Sequence, residues 1–144
     1  MRLLILNGPN LNLLGSRETE IYGSASLAEL EQGLRTTFPD VDFRFAQDNN
    51  EGALVDALQQ AETDGLDGVV FNPGGYGHTS VALRDAIAAI TTPVVEVHIS
   101  NVHAREDFRQ RLILSAVCRG VISGLGPAGY QLAVRSFIEE RVDG

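Results

Sequence analysis

Five short aliphatic runs alternate with longer amphipathic stretches, and this alternation constrains the fold more than any other feature of the chain. The aliphatic runs are rich in β-branched or aromatic residues, and most are bounded by Gly, Pro, Asn or Asp, which is typical of buried strands. The predicted strands are Arg2 to Asn7, Val41 to Ala46, Gly68 to Phe71, Val94 to Ile99 and Gly120 to Ser123.

The stretches between these strands repeat apolar residues at three- and four-residue spacing, which predicts helices. Ser26, Asn50 and Ser80 are suitable N-caps for three of them. The apolar positions are Leu27, Leu30 and Leu34; Leu54, Val55 and Leu58; Leu83, Ala86, Ile87 and Ile90; and Leu132, Ala133, Phe137 and Ile138. The alternation predicts an α/β fold, a flavodoxin-like open five-stranded parallel sheet with helices on both faces. A length of 144 residues suits one domain, residues 1–144.

Composition excludes several classes of function. A net charge of −8 without a basic run argues against nucleic acid as a partner. The apolar runs are short, and the first is broken after Leu6, so we expect neither a membrane span nor a signal peptide. Cys118 stands alone, in agreement with a cytoplasmic protein. All 11 basic residues are arginines, which excludes chemistry that needs a lysine.

Most of the unusual polar residues follow directly after the predicted strands. In an open parallel sheet, ligands bind outside the carboxyl ends of the strands. The residues at this edge are Asn7 and Asn10, Gln47 and Asn49, Asn72 to His78, His98 to Asn101, and Gly124 to Gly126. We therefore expect the functional site there.

Two segments at this edge contain candidate histidines. In "VVEVHIS" the period of a strand places Glu96, His98 and Ser100 on one face, and a carboxylate beside a histidine suits a general acid. The alternative is a histidine bonded only to backbone. In "NPGGYGHTS", His78 precedes a helix start, which favours a neutral ligand-binding imidazole. The alternative is that the glycines simply build a turn.

The segment "SNVHAREDFRQ" predicts a cap followed by a short helix. Arg105 and Arg109 would then share one helix face, where two guanidinium groups could bind a carboxylate or phosphate. Alternatively, they pair with Glu106 or Asp107 on a solvated face.

The long irregular segment after the first strand contains Arg17 and Tyr22. A tyrosine is ordinarily a poor base, but a nearby guanidinium favours its ionised form, so Tyr22 could remove a proton from carbon. The alternative is a tyrosine that anchors the loop by packing.

Several other kinds of site are disfavoured. His98, His103 and Glu96 lack a spacing that converges on a metal, and the chain has no HExxH or Cys/His cluster. It also lacks a GxSxG motif and a full dinucleotide-binding fingerprint. We therefore expect no metal.

Four motifs together resemble the type II 3-dehydroquinate dehydratases in order and spacing, over about Leu4 to Tyr130. They are "LNGPNLNLLGSRETEIYG", "NNEGALVDAL", "NPGGYGHTSVALRDA" and "EVHISNVHAREDFR". The resemblance implies a flavodoxin-like subunit that dehydrates 3-dehydroquinate, a small anionic substrate, to 3-dehydroshikimate. It implies an anti elimination through an enolate without a cofactor or metal, and homo-oligomers that are dodecamers of four trimers.

The resemblance also assigns roles to particular residues. Tyr22 is the base, Arg17 its activator and transition-state stabiliser in a mobile lid, and His98 the general acid. Asn10 helps to hold a water against the enolate oxygen. The substrate-binding positions are Asn72, His78, Asp85, Ile99, Ser100 and Arg109, with Glu96 and Arg105 in support. The Asp85 position is expected to reach a neighbouring subunit's site.

The chain departs from the common family pattern in four places. These are Asn50, the run Gly75 to Gly77, the run Gln110 to Leu112, and Cys118 with Arg119. None is a position expected to do chemistry. The alternative function is a flavodoxin-like binding module without activity, but a phosphoreceiver would need a lysine and clustered acids, and a flavin module a Ser/Thr-rich phosphate loop.

Overall fold

The computed structural model describes residues 1–143, with the side chains described as far as Val142, and contains one five-stranded sheet. All neighbouring strands are parallel, in the order β2-β1-β3-β4-β5. This is the predicted flavodoxin-like order, and every strand lies within one residue of its predicted bounds. The strands are β1 Arg2–Asn7, β2 Asp42–Gln47, β3 Gly68–Asn72, β4 Val94–His98 and β5 Gly120–Ser123.

An α-helix follows every strand except β4, and the helices cover both faces of the sheet. They are α1 Thr19–Tyr22, α2 Leu27–Thr37, α3 Glu51–Thr63, α4 Val81–Ala89 and α5 Ala128–Asp143. The side chains of Ser26, Asn50 and Ser80 accept backbone N–H bonds from the first turns of α2, α3 and α4. The three predicted N-caps are thus confirmed, whereas the single turn α1 was not anticipated.

The core has two parts, one on each face of the sheet. Helices α2 and α5 cover one face, where Leu3, Ile5 and Val70 are buried, and α3 and α4 cover the other. The prediction for α5 was wrong at Leu132, which is exposed. Ala133 and Phe137 are buried as predicted, and Ile138 packs partly buried against them. Helix α5 also buries Tyr130 and Val134, which were not among the predicted positions.

The polar side chains at the ends of the strands point to both faces of the sheet. Asn7 ends β1 and Asn72 ends β3; the two are register partners and point to the α2/α5 face, like Ile5 and Val70. In β4, Val95 and Val97 occupy that same face, so Glu96 and His98 point to the α3/α4 face. The carboxyl edge of the sheet therefore gathers polar side chains from both sides.

The segment after β4 contradicts the predicted short helix. It forms two 3₁₀ turns, Val102–Ala104 and Asp107–Arg109, and Arg105 between them is extended. Arg105 and Arg109 therefore do not share a helix face. Within residues 1–143, helices of the length and apolarity required to cross a membrane are absent.

Candidate active site

A cavity opens at the carboxyl edge of the sheet, above β1, β3 and β4. It encloses about 160 Å³, less than a drug-sized ligand occupies, and so suits a small ligand. Ten of the twelve predicted site residues line it; Glu96 and Asp85 do not. The ten are Asn10, Arg17, Tyr22, Asn72, His78, His98, Ile99, Ser100, Arg105 and Arg109.

His98 is fixed from below by a buried carboxylate. Its Nε2 lies 2.5 Å from Oε2 of Glu96, which is fully buried, and Oε1 of Glu96 accepts a hydrogen bond from the Ser115 hydroxyl at 2.7 Å. Since a carboxylate oxygen accepts, Nε2 carries the hydrogen. The ring's other nitrogen, Nδ1, is therefore the one that can exchange a proton with a ligand.

Cys118, one of the departures from the family pattern, lies beside this pair. Its Sγ is 4.0 Å from Oε1 of Glu96. Burial, and to a smaller extent the charge of Glu96, raises the pKa of the thiol to about 12. The thiol therefore stays protonated and serves as packing rather than as a nucleophile.

His78 faces His98 across the cavity, with the ring centroids 6.2 Å apart. It ends a 3₁₀ turn, Gly74–His78, two residues before the N-cap of α4. Its Nδ1 donates to the Arg111 carbonyl at 3.0 Å, because a carbonyl oxygen can only accept. The bond fixes the ring and leaves Nε2 for a ligand.

Tyr22 enters from the loop side and is held by two arginines. The Arg105 Nη1 donates to its hydroxyl at 2.8 Å, and the Arg17 guanidinium lies 4.8 Å from the centroid of its ring. Arg17 also pairs with the exposed Glu18 at 3.0 Å. The guanidinium bonded to the Tyr22 hydroxyl is thus that of Arg105, and the Arg17 guanidinium lies over the ring.

Asn10 lies on the rim next to this loop in a left-handed conformation, with φ 69°. Its backbone N–H donates to Oδ1 of Asn49 at 2.9 Å. Such a conformation costs a non-glycine residue free energy and is enriched at functional sites. The loop after β2, which contains Asn49, therefore stabilises the position of Asn10.

The remaining predicted residues differ in their surroundings. Ser100 lies beyond the end of β4, and its hydroxyl is 3.4 Å from the Arg105 Nη1. Arg109 lines the cavity and also pairs with Glu106, the ion pair that the alternative interpretation predicted. Asp85 is exposed on α4 outside the cavity.

The cavity has a charge opposite to that of the whole chain. Three guanidinium groups line it, and the lining set of the described residues contains no carboxylate. The chain as a whole has a net charge of −8. This local concentration of positive charge suits a small anion.

The sequence interpretation missed two kinds of contributor. Of the other lining residues, Gly74 and Gly75 lie in the predicted edge segment Asn72 to His78, whereas Pro9, Leu11, Leu14 and Val102 were not singled out. Ser115 supports Glu96 from the start of a 3₁₀ turn, Ser115–Val117, that lies between β4 and β5, and no spacing rule points to it. Among residues 1–143 there is also no group of three or more His, Cys, Asp or Glu placed to hold a metal ion.

A five-stranded α/β fold with a cationic, histidine-containing cavity at its carboxyl edge defines the class, a flavodoxin-like small-molecule enzyme. The sequence profile of the family described as "Dehydroquinase class II" matches residues 1–138. The chain therefore belongs to the class II dehydroquinases, which are hydro-lyases.

Individual relatives agree with this assignment. The 3-dehydroquinate dehydratase of an Exiguobacterium species is 56% identical over 140 residues, covering 96% of this chain and 95% of that protein. That of Chlorobaculum tepidum is 53% identical over 137 residues, covering 94% and 93%. The crystal structure of the type II dehydroquinase from Butyrivibrio crossotus superposes with a TM-score of 0.93 at 42% identity, covering 95% of this chain and 97% of that one.

Proposed function

We propose that this protein dehydrates 3-dehydroquinate to 3-dehydroshikimate by anti elimination through an enolate. The observation that carries the proposal is that Tyr22 from the loop and His98 from β4 line one cavity together with three arginines. A base and an acid held in one cationic cavity match the needs of eliminating water from an anionic substrate.

Tyr22 is the base. As tyrosinate it takes a proton from the carbon next to the ketone, and the C–H electron pair forms the enolate. The Arg105 guanidinium, bonded to the hydroxyl at 2.8 Å, lies beside the oxygen that carries the negative charge of the tyrosinate. Arg17 over the ring adds a second positive charge near the developing negative charge.

Asn10 supports the enolate by holding a water against the enolate oxygen. Each preorganised hydrogen-bond donor that points at a developing oxyanion lowers the activation free energy by about 3 kcal/mol. The left-handed backbone of Asn10, fixed by Asn49, provides such preorganisation.

His98 is the general acid. The enolate collapses and expels the β-hydroxyl, which takes a proton from the His98 imidazolium and leaves as water. Nδ1 is the nitrogen that gives the proton, since Nε2 is bonded to Glu96. The buried carboxylate stabilises the imidazolium before the transfer and holds the ring in place afterwards.

The other residues bind the substrate. Arg109 binds the carboxylate of the substrate. The hydroxyl groups of the substrate are bound by Asn72, His78, Ile99 and Ser100. The exposed Asp85 acts in the site of a neighbouring subunit, within a dodecamer built from trimers. The single domain works in the cytoplasm, in the shikimate pathway to aromatic amino acids or in quinate breakdown.

The test adds 3-dehydroquinate to the purified protein and follows the ultraviolet absorbance of the conjugated enone. A rise that depends on enzyme concentration, with 3-dehydroshikimate identified as the product, supports the proposal. Binding of 3-dehydroquinate without a rise would overturn it in favour of a flavodoxin-like binding module. The dodecamer is tested separately by light scattering, where a monomer or trimer mass would contradict it.

A further inference from the structure

A buried chain of three polar side chains links α5 to the cavity. Asn72 Nδ2 donates to the Tyr130 hydroxyl at 2.9 Å, and that hydroxyl donates to Oδ1 of Asn7 at 2.5 Å. Tyr130 and Asn7 have no exposed surface, and Asn72 is 3% exposed. Of the three, Asn72 alone lines the cavity.

Each bond in this chain can run in one direction only. A phenol has a single hydrogen, and the hydrogen of Tyr130 is used on Asn7, whose Oδ1 can only accept. Tyr130 can therefore offer Asn72 only a lone pair, and Asn72 must present an N–H. On its other side, Oδ1 of Asn72 accepts the Gly74 N–H at 3.1 Å. Both contacts require the same orientation of the Asn72 amide.

This orientation determines what Asn72 offers to a ligand. Its Oδ1 is occupied by Gly74, and one of the two hydrogens on Nδ2 is occupied by Tyr130. The second Nδ2 hydrogen has no partner among the described residues. Asn72 therefore acts toward the cavity as a hydrogen-bond donor, and a rotated amide would offer an acceptor instead.

We infer that Tyr130 is a positioning residue for this enzyme, whose buried hydroxyl fixes the Asn72 amide as a donor to the substrate. Tyr130 touches no cavity surface and acts only through Asn72. Burial raises the pKa of its hydroxyl well above the usual range, so the hydroxyl remains neutral and takes no part in proton transfer.

Because Asn7 is buried, loss of any hydrogen bond between Asn72, Tyr130 and Asn7 would be costly. Its Nδ2 is buried and has no hydrogen-bond partner among the described residues. Loss of the Tyr130 hydroxyl would also leave Asn7 Oδ1 and one Asn72 hydrogen unpaired, and unpaired buried polar groups carry a desolvation penalty. Without the Tyr130 hydroxyl, only the Gly74 N–H holds the Asn72 amide in its orientation. Rotation of the amide, or its departure from Gly74, would remove the donor from the substrate.

The experiment is a double-mutant cycle with Tyr130→Phe and Asn72→Ala, read as kcat and KM for 3-dehydroquinate. The inference on Tyr130 rests on the proposed function. We expect Tyr130→Phe to lower kcat/KM about tenfold in the wild-type background, equivalent to one lost hydrogen bond. In the Asn72→Ala background it should cost less than about twofold, because the hydroxyl then has no amide to orient. The loss in Tyr130→Phe should not vary between pH 6 and pH 9.

Val134→Ala is the matched control. Val134 lies one turn further along α5, is fully buried in the same cluster, and does not belong to the polar chain. It should lower the urea midpoint by at least as much as Tyr130→Phe while leaving kcat and KM unchanged. Equal losses of kcat/KM from Tyr130→Phe with and without Asn72, or a loss in Val134→Ala, would overturn the inference.

A crystal structure of Tyr130→Phe supplies a readout that does not depend on turnover. We expect the Asn72 amide to rotate or to leave Gly74. An unmoved amide that keeps its bond to Gly74 would overturn the inference. If the wild-type protein fails to turn over 3-dehydroquinate, the proposed function is refuted, and the crystal structure alone decides the inference on Tyr130.

Discussion

The two halves of the candidate active site are held in place by different physical means. The strand-end half consists of His98 and Asn72, both nearly completely buried. Each is fixed by a further buried group, Glu96 or Tyr130, from opposite faces of the sheet. The loop half consists of Asn10, Arg17 and Tyr22, which lie on the connection between β1 and α2 and are exposed or half-buried.

The comparison separates what the two halves contribute to stability. Buried polar groups are costly when a partner is lost, whereas exposed ion pairs and cation–π contacts contribute little. The strand-end half is therefore part of the folded core, and the loop half is attached to it by few contacts. Substitutions in either half should damage turnover, but only those in the strand-end half should also damage folding.

His98→Ala should have the largest combined effect. We expect kcat to fall by about 10²- to 10⁴-fold through loss of the proposed general acid. The free energy of unfolding should fall by about 3 kcal/mol, because a fully buried Glu96 loses its partner. Urea unfolding and the enone assay measure the two effects.

A compensating variant provides the control for His98→Ala. Adding Glu96→Gln should restore most of the stability without restoring turnover, since the amide carries no charge. A double variant no more stable than His98→Ala would show that the buried charge is not the cause.

Tyr22→Phe should lower kcat by as much as His98→Ala without the loss of stability. The change removes the proposed base but only one hydrogen bond, from Arg105 to a half-buried hydroxyl. The free energy of unfolding should therefore change by less than about 1 kcal/mol. Tyr76→Phe is the control for the stability measurement, because it also removes one hydrogen bond, donated to the Asn49 carbonyl by a hydroxyl outside the cavity. A destabilisation equal to that of His98→Ala would contradict the contrast between the halves.

Ser115→Ala should have an intermediate effect that reaches the chemistry through Glu96. Loss of the 2.7 Å hydrogen bond should destabilise the fold by about 1 kcal/mol and lower kcat about fivefold, with KM almost unchanged. Ser115→Thr keeps a hydroxyl and should retain most of kcat. A rise in KM with unchanged kcat would indicate that Ser115 contributes to substrate binding instead.

The sequence predicted the sheet well because each strand and cap has a local signal. The runs around Ile5 and Val70, and the caps Ser26 and Ser80, depend on neighbours within a few residues. The strand period also paired Glu96 with His98 correctly. The short helix after β4 was wrong because the chain there forms two 3₁₀ turns around an extended Arg105, although that arginine still reaches the cavity.

The supporting residues could not be predicted in the same way. Ser115 meets Glu96 from a segment without helical or strand period, and Tyr130 meets Asn72 across 58 residues. In α5 the period marks Tyr130 only as one of several apolar-face positions. Whether the hydroxyl of such a tyrosine meets a polar partner depends on how the helix packs on the sheet.

Glu62→Gln tests the opposite edge of the sheet and should have the smallest effect. The Glu62 carboxylate, near the end of α3, accepts backbone and hydroxyl bonds from Thr91 and Thr92 before β4. These bonds lower its pKa to about 2. A carboxyl group with a lowered pKa stabilises the fold fully above its unfolded value near 4.5, and the contribution disappears as the pH falls toward 2. Melting curves should therefore show a small deficit for Glu62→Gln at pH 7 that narrows between pH 4.5 and pH 2, with kcat unchanged. A constant deficit at every pH would contradict the linkage, and a loss of kcat would show that polar anchors far from the cavity influence it as strongly as those beneath it.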